Sequence, residues 1–157
     1  MNSSKAYVSA TVIGFVAGLR SLTGPAALSA AGSAGWFGLA PSRLKWLRSP
    51  KAAFAFGALA LGELVMDKLP STPARTKAVP LVARAVSGAL CGAAVCAIQD
   101  DDIAAGAALG AAGAVAGTYA GYYVRKHAVE RHGIPALAAA LTEDAIAISG
   151  GLAAFGL

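Results

Sequence analysis

Ala6-Tyr-Val-Ser-Ala-Thr-Val-Ile-Gly-Phe-Val-Ala-Gly-Leu-Arg20-Ser-Leu-Thr-Gly-Pro25 decides how this chain is read. The run from Ala6 to Leu19 is uncharged and apolar. It is too short to cross a bilayer alone, because a span needs about 20 mostly apolar residues. Arg20 interrupts it, and the chain then continues uncharged from Ser21 to Ala40. Pro25 has no backbone N–H to donate, and Gly18 and Gly24 loosen the chain on either side. The stretch therefore reads as one span broken near Arg20–Pro25 and followed by a loop. A re-entrant hairpin and two short spans are the other readings of the same residues. A secretory leader is a further alternative, with Lys5, an apolar run and small residues around Ala31 to Ala34. Arg20, placed directly after the apolar core, speaks against it.

Working outward, four more stretches are long and apolar, giving spans near 6–30, 52–69, 78–98, 103–124 and 134–155. The expected fold is an all-α integral membrane bundle of about five transmembrane helices in a single domain, 1–157. Composition agrees: 57% of the 157 residues are hydrophobic and 13% are charged, against about 25% charged in a soluble domain. That excludes disorder and argues against a soluble enzyme. The net charge of +5 suits cytoplasmic loops beside anionic lipid better than nucleic acid, so no nucleic-acid partner is expected. The high content of Ala and Gly with many Arg suggests a bacterial inner membrane as the location. The basic loop 41–51 interleaves its charges with Leu44, Trp46 and Leu47 and reads as an interfacial anchor. Cys91 and Cys96 lie in an apolar stretch on different helix faces, which supports neither a disulfide framework nor a metal motif.

With five spans, Lys5, Lys68, Arg75, Lys77, Arg125, Lys126 and Arg131 fall on one side of the membrane. Arg43, Lys45, Arg48 and Lys51 fall on the other, together with Asp100, Asp101 and Asp102. Gly14-Phe-Val-Ala-Gly18 resembles Gly113-Ala-Val-Ala-Gly117, and Ala60-Leu-Gly-Glu63 resembles Ala140-Leu-Thr-Glu143. An odd number of spans between such units would make them an inverted two-helix repeat. Glycines recur at four-residue spacing at Gly14 and Gly18, Gly88 and Gly92, Gly106 and Gly110, and Gly113, Gly117 and Gly121. That spacing strips one helix face of side chains and points to close helix packing, within one chain or between copies of a homo-oligomer such as a dimer.

Ionisable residues inside apolar stretches are functional hypotheses, because a charge at a helix centre must pair, protonate or face water. Arg20, Glu63, Asp67, Arg84, Glu143 and Asp144 are of this kind, and Lys68 follows at a helix end. Glu63 and Asp67 are one helical turn apart, so both carboxylates face the same way and suit a shared proton, an arginine or a divalent cation. Otherwise no cofactor is indicated, and the metal is open. His127 and His132 sit in a polar connector, and Tyr119, Tyr122 and Tyr123 read as interfacial aromatics.

Glu63-Leu-Val-Met-Asp67-Lys68-Leu-Pro70, Arg84 ahead of Ser87-Gly88-Ala-Leu90, Thr142-Glu143-Asp144, Gly18-Leu-Arg20 and Gly117-Thr118 together resemble the membrane family called domain of unknown function 4126. The resemblance covers nearly the whole chain. It departs after Thr118, where Tyr119 and Tyr122 stand in place of the His and Lys of the family pattern. It implies a multi-spanning membrane protein with Arg20, Glu63, Asp67, Lys68, Arg84, Glu143 and Asp144 in one polar cluster, and it brings no substrate. The function expected from these residues is a small transporter or lipid translocator that uses intramembrane carboxylates for proton or cation coupling, with membrane lipids as partners. A Mg-dependent membrane enzyme acting on a lipid phosphate is the first alternative, although no nucleophile is evident and a non-enzyme is favoured. A structural or assembly protein packed through its glycine faces is the second.

Overall fold

The computed structural model describes residues 3–37, 44–66 and 77–132, with Pro135, Thr142, Ala145, Ile146, Ser149 and Gly150 beyond them. Among these residues the chain is all-helical, with no strand. Its elements are α1 (Ser3–Leu19), α2 (Thr23–Ser33), a 3-10 turn (Lys45–Arg48), α3 (Pro50–Met66), α4 (Ala78–Ile98) and α5 (Ile103–His132). The expected span near 134–155 lies almost wholly outside them, as do Asp67, Lys68, Glu143 and Asp144.

Local chemistry sets the helix ends. Ser49 caps α3, its hydroxyl accepting the Ala52 N–H at 3.1 Å, with Pro50 following at the first helical position. Asp102 caps α5 by accepting the Ala104 and Ala105 N–H groups at 2.8 and 3.2 Å. Gly35 (φ 82°) closes α2 in the left-handed conformation, where the N–H groups of Gly35 and Trp36 reach back to Gly32 and Ala31. Asp100 (φ 58°) occupies the same position after α4, with the Asp101 N–H bonded to the Cys96 carbonyl at 2.9 Å.

Helices α1, α4 and α5 form the centre, and glycine backbones set their spacing. A Cβ on Gly14 or on Gly88 would overlap the Gly110 carbonyl, and one on Gly110 would overlap that of Gly88. Gly92 meets Gly106, Gly18 meets Ala114, Gly113 meets Thr11, and Gly117 meets Phe15 in the same way. Gly121 is buried further along α5. These close approaches are all within one chain. They also fix direction: Gly14 with Gly110 and Gly18 with Ala114 make α1 parallel to α5, while Gly88 with Gly110 and Gly92 with Gly106 make α4 antiparallel to it.

The N-terminal stretch does break where expected, with the last helical bond of α1 running from the Arg20 N–H to Val16 at 2.9 Å. It does not run on as one span. A Cβ on Gly24 would lie 3.5 Å from the Ala17 Cβ and 3.8 Å from the Ile13 carbonyl oxygen. Helix α2 thus turns back beside α1, because a continuing helix would carry Gly24 about 16 Å past Ile13 at 1.5 Å per residue. The reversal fits the hairpin and the two-short-span readings, and not one continuous span.

Two further expectations change with it. With the reversal, Gly14–Gly18 and Gly113–Gly117 lie side by side on α1 and α5. The two segments run in the same direction and pack against each other, which an inverted repeat does not allow. Lys5 also moves to the end that holds the α4–α5 turn, since α1 runs parallel to α5 and both start at that end.

Differences at element ends have local causes. Helix α5 extends past 124 to His132, because Arg125-Lys-His-Ala-Val-Glu-Arg contains no Gly or Pro to stop it. Trp46 is exposed and packs on Phe56 with ring centroids 6.1 Å apart. Leu47 instead enters the core beside Ala6, Ala10 and Leu28.

Candidate functional site

The hairpin tip, Arg20-Ser21-Leu22, gathers most of the buried polarity among the described residues. A broken helix leaves carbonyls without partners at the end of α1 and N–H groups without partners at the start of α2. Here side chains from three other helices supply both. The Arg84 guanidinium of α4 donates from Nη1 to the carbonyls of Gly18 at 2.5 Å and Leu19 at 2.8 Å. Thr118 of α5 donates its hydroxyl to the Gly18 carbonyl at 3.1 Å and to its own helix at Ala114 at 2.8 Å. Ser87, nearly one turn after Arg84, donates to the Ser21 carbonyl.

The amide side of the tip is met by one carboxylate. Glu63 Oε1 accepts the Ser21 N–H and the Ser21 hydroxyl, both at 2.9 Å, and Oε2 accepts the Leu22 N–H at 2.9 Å. Arg84 Nη2 lies 3.7 Å from Glu63 Oε1 and completes an ion pair. The cation therefore sits at the carbonyl end of one helix and the anion at the amide end of the next, each matched to the local helix dipole. Gly18 is required here, since any Cβ would run into the Ala114 carbonyl and push α5, with Thr118, away from the tip. Gly24 leaves room for Cys91, whose Sγ lies 3.2 Å from where a Cβ would stand.

Arg20, Glu63 and Arg84 are thus placed at or beside one tip, with Arg20 2% and Arg84 3% exposed. Pro25 is buried in the first turn of α2, where its missing N–H costs no helical bond. Asp67, Lys68, Glu143 and Asp144 lie outside the described residues, so the expected Glu63–Asp67 pair is not on view. Among the described residues, no three His, Cys, Asp or Glu side chains gather where they could hold a metal ion.

Ser21, Ser87 and Thr118 carry roles that residue-by-residue reading did not assign. Their signal was present only as a hydroxyl beside a glycine, in Ser87-Gly88 and Gly117-Thr118, or next to the break. His127 is exposed on α5. Tyr122 and Tyr123 meet edge to face with ring centroids 5.3 Å apart, and Tyr123 is exposed.

These features define an all-helical bundle built around a reversed helix whose two loose ends are capped by an arginine and a glutamate. The chain belongs to the family described as domain of unknown function (DUF4126), whose model matches residues 8–157. No curated protein and no solved structure matches the chain.

Proposed function

We propose that this chain is a multi-pass membrane protein that translocates a small solute or lipid, with the hairpin tip as its moving part and Glu63 as the coupling group. Its distribution of polarity supports membrane embedding. Arg20, Arg84, Ser87 and Thr118 are buried, while Phe54 is 80%, Val79 81% and Leu61 65% exposed. Water would favour the reverse arrangement, and a hydrocarbon solvent favours this one. Helix α4 and the Ile103–Arg131 stretch of α5 are long and apolar enough to cross a membrane. Helices α1 and α3, of 17 residues each, would reach about 25 Å at 1.5 Å per residue.

One observation carries the coupling: the Glu63 carboxylate accepts three hydrogen bonds from the tip and faces Arg84. Adding a proton turns an acceptor oxygen into a donor that faces N–H groups and removes the charge beside Arg84. The cap on α2 and the pair with α4 would then weaken together, loosening the polar link between α3 and the tip. Protonation or cation replacement is thereby linked to a change in helix contacts, which is what a coupled translocation step requires. Asp67, Glu143 and Asp144 join this proposal through the sequence alone.

The test uses the full chain in proteoliposomes loaded with a pH-sensitive dye and presented with a panel of small anions, cations and labelled phospholipids. The unaltered protein should move protons together with a member of the panel, and Glu63→Gln should abolish that proton movement. Equal proton movement in both would reject coupling through Glu63.

A further inference from the structure

Past the tip, α5 keeps going. Thr118 marks the tip level, so Tyr122 stands about 6 Å and Arg125 about 10 Å further along the helix at 1.5 Å per residue. At that level Tyr122, Arg125, Lys126, Val129 and Glu130 line a cleft of about 240 Å³. Residues 122, 125, 126 and 129 follow the i, i+3, i+4, i+7 spacing of a single helix face. We infer that this cleft holds the headgroup of an anionic phospholipid, a monoanionic phosphodiester whose acyl chains run down the neighbouring apolar surface. The inference rests on the membrane reading above and does not depend on the coupling role of Glu63.

Three features select this occupant. The cleft, of about 240 Å³, is open and large enough to admit a phosphodiester and its glycerol oxygens. Adjacent cations at 125 and 126 present a charged guanidinium and ammonium, and Lys77 and Arg131 add positive charge at the same end of the bundle. Glu130, the carboxylate in the lining, disfavours a dianion and offers an acceptor to headgroup hydroxyls. On the membrane side, Tyr123 and Val124 are 62% and 69% exposed, so apolar surface for a chain begins where the basic cleft ends. Tyr122 lines the cleft and touches Tyr123 edge to face, joining the two zones.

The test begins with the full-length protein in expressing membranes washed with alkaline carbonate, followed by native mass spectrometry after titration with phosphatidylglycerol or phosphatidylcholine. The protein should stay with the membrane and retain phosphatidylglycerol preferentially. Arg125→Gln with Lys126→Gln should weaken that retention roughly fivefold per charge removed. Arg125→Lys with Lys126→Arg should keep most of it, and Lys45→Gln with Lys51→Gln, at the other end of the bundle, should leave it unchanged. Release by carbonate would overturn the membrane reading and this site with it. Retention in the membrane with no preference for the anionic lipid, or with the same preference in the Arg125→Gln, Lys126→Gln variant, would overturn the headgroup site alone.

Discussion

The three central helices and the α2–α3 pair are joined to the same tip by different physics. Helices α1, α4 and α5 approach through glycine, so that backbone lies on backbone and no side chain can adjust when something is added. Helix α3 packs on α2 and the 3-10 turn instead. It carries Phe54, Leu59, Leu61 and Val65 on its open surface, and Gly57 and Gly62 face empty space. It meets the centre through Glu63 at one end and through Phe56, packed on the core cluster, near the other. The contrast separates a frame packed backbone on backbone from an arm joined to the tip through the Glu63 carboxylate.

Arg84 serves both regions, so removing it should do the greatest damage. Arg84→Met leaves the Gly18 and Leu19 carbonyls and the Glu63 carboxylate without their cation. It should cost about 3–5 kcal/mol, as for other broken buried pairs. Thermal unfolding in detergent checks this, and a loss under 1 kcal/mol would show that the tip does not hold the bundle together. Glycine substitutions compare frame and arm directly by the same assay. Gly110→Ala should lose about 1–3 kcal/mol by overpacking, whereas Gly57→Ala, in open space, should be neutral or gain up to about 1 kcal/mol from helix propensity. Equal losses would erase the distinction between the two regions.

Smaller effects sharpen it. Thr118→Val removes one donor from the Gly18 carbonyl, which Arg84 still serves, so a loss of about 1 kcal/mol is expected. At the far end of the frame the Asp101 carboxyl is held below its ordinary 3.8, first by the Asp102 N–H and then by the Ser3 hydroxyl, with Tyr7 adding to it. A carboxyl lowered on folding contributes stability that is present above its unfolded value and is lost as pH falls through its folded value. Acid below about pH 4 should therefore loosen the Asp102 N–H bond to Asp101, seen as faster amide exchange in the α4–α5 turn, and Asp101→Asn should remove that pH dependence.

Several of these features were legible in the residues. Gly18, Arg20, Gly24 and Pro25 mark the break because each disfavours an uninterrupted apolar helix, and the four-residue glycine spacing marks close approach whatever the partner. The boundaries of α4 were readable because Lys77 and Asp100 flank a run that is apolar apart from Arg84 and Ser87. The direction taken after the break was not readable. It depends on whether the freed N–H groups of Ser21 and Leu22 find an acceptor behind or ahead of them, and that acceptor, Glu63, is more than 40 residues away. Missing the reversal also inverted the relation between α1 and α5. The roles of Ser87 and Thr118 were not legible because a hydroxyl on a glycine-rich face reads as a small packing residue until a facing carbonyl is known.

The most direct test of the reversed tip is cysteine accessibility in membranes of an expressing cell, with Cys91 and Cys96 replaced by alanine and an impermeant maleimide applied to one side. Ser3→Cys, Ser33→Cys and Asp102→Cys should react from the same side, and Lys77→Cys and Arg131→Cys from the other. Labelling of Ser3→Cys and Ser33→Cys from opposite sides would mean that the N-terminal stretch crosses only once, and would contradict the reversal on which the Glu63–Arg84 clasp depends.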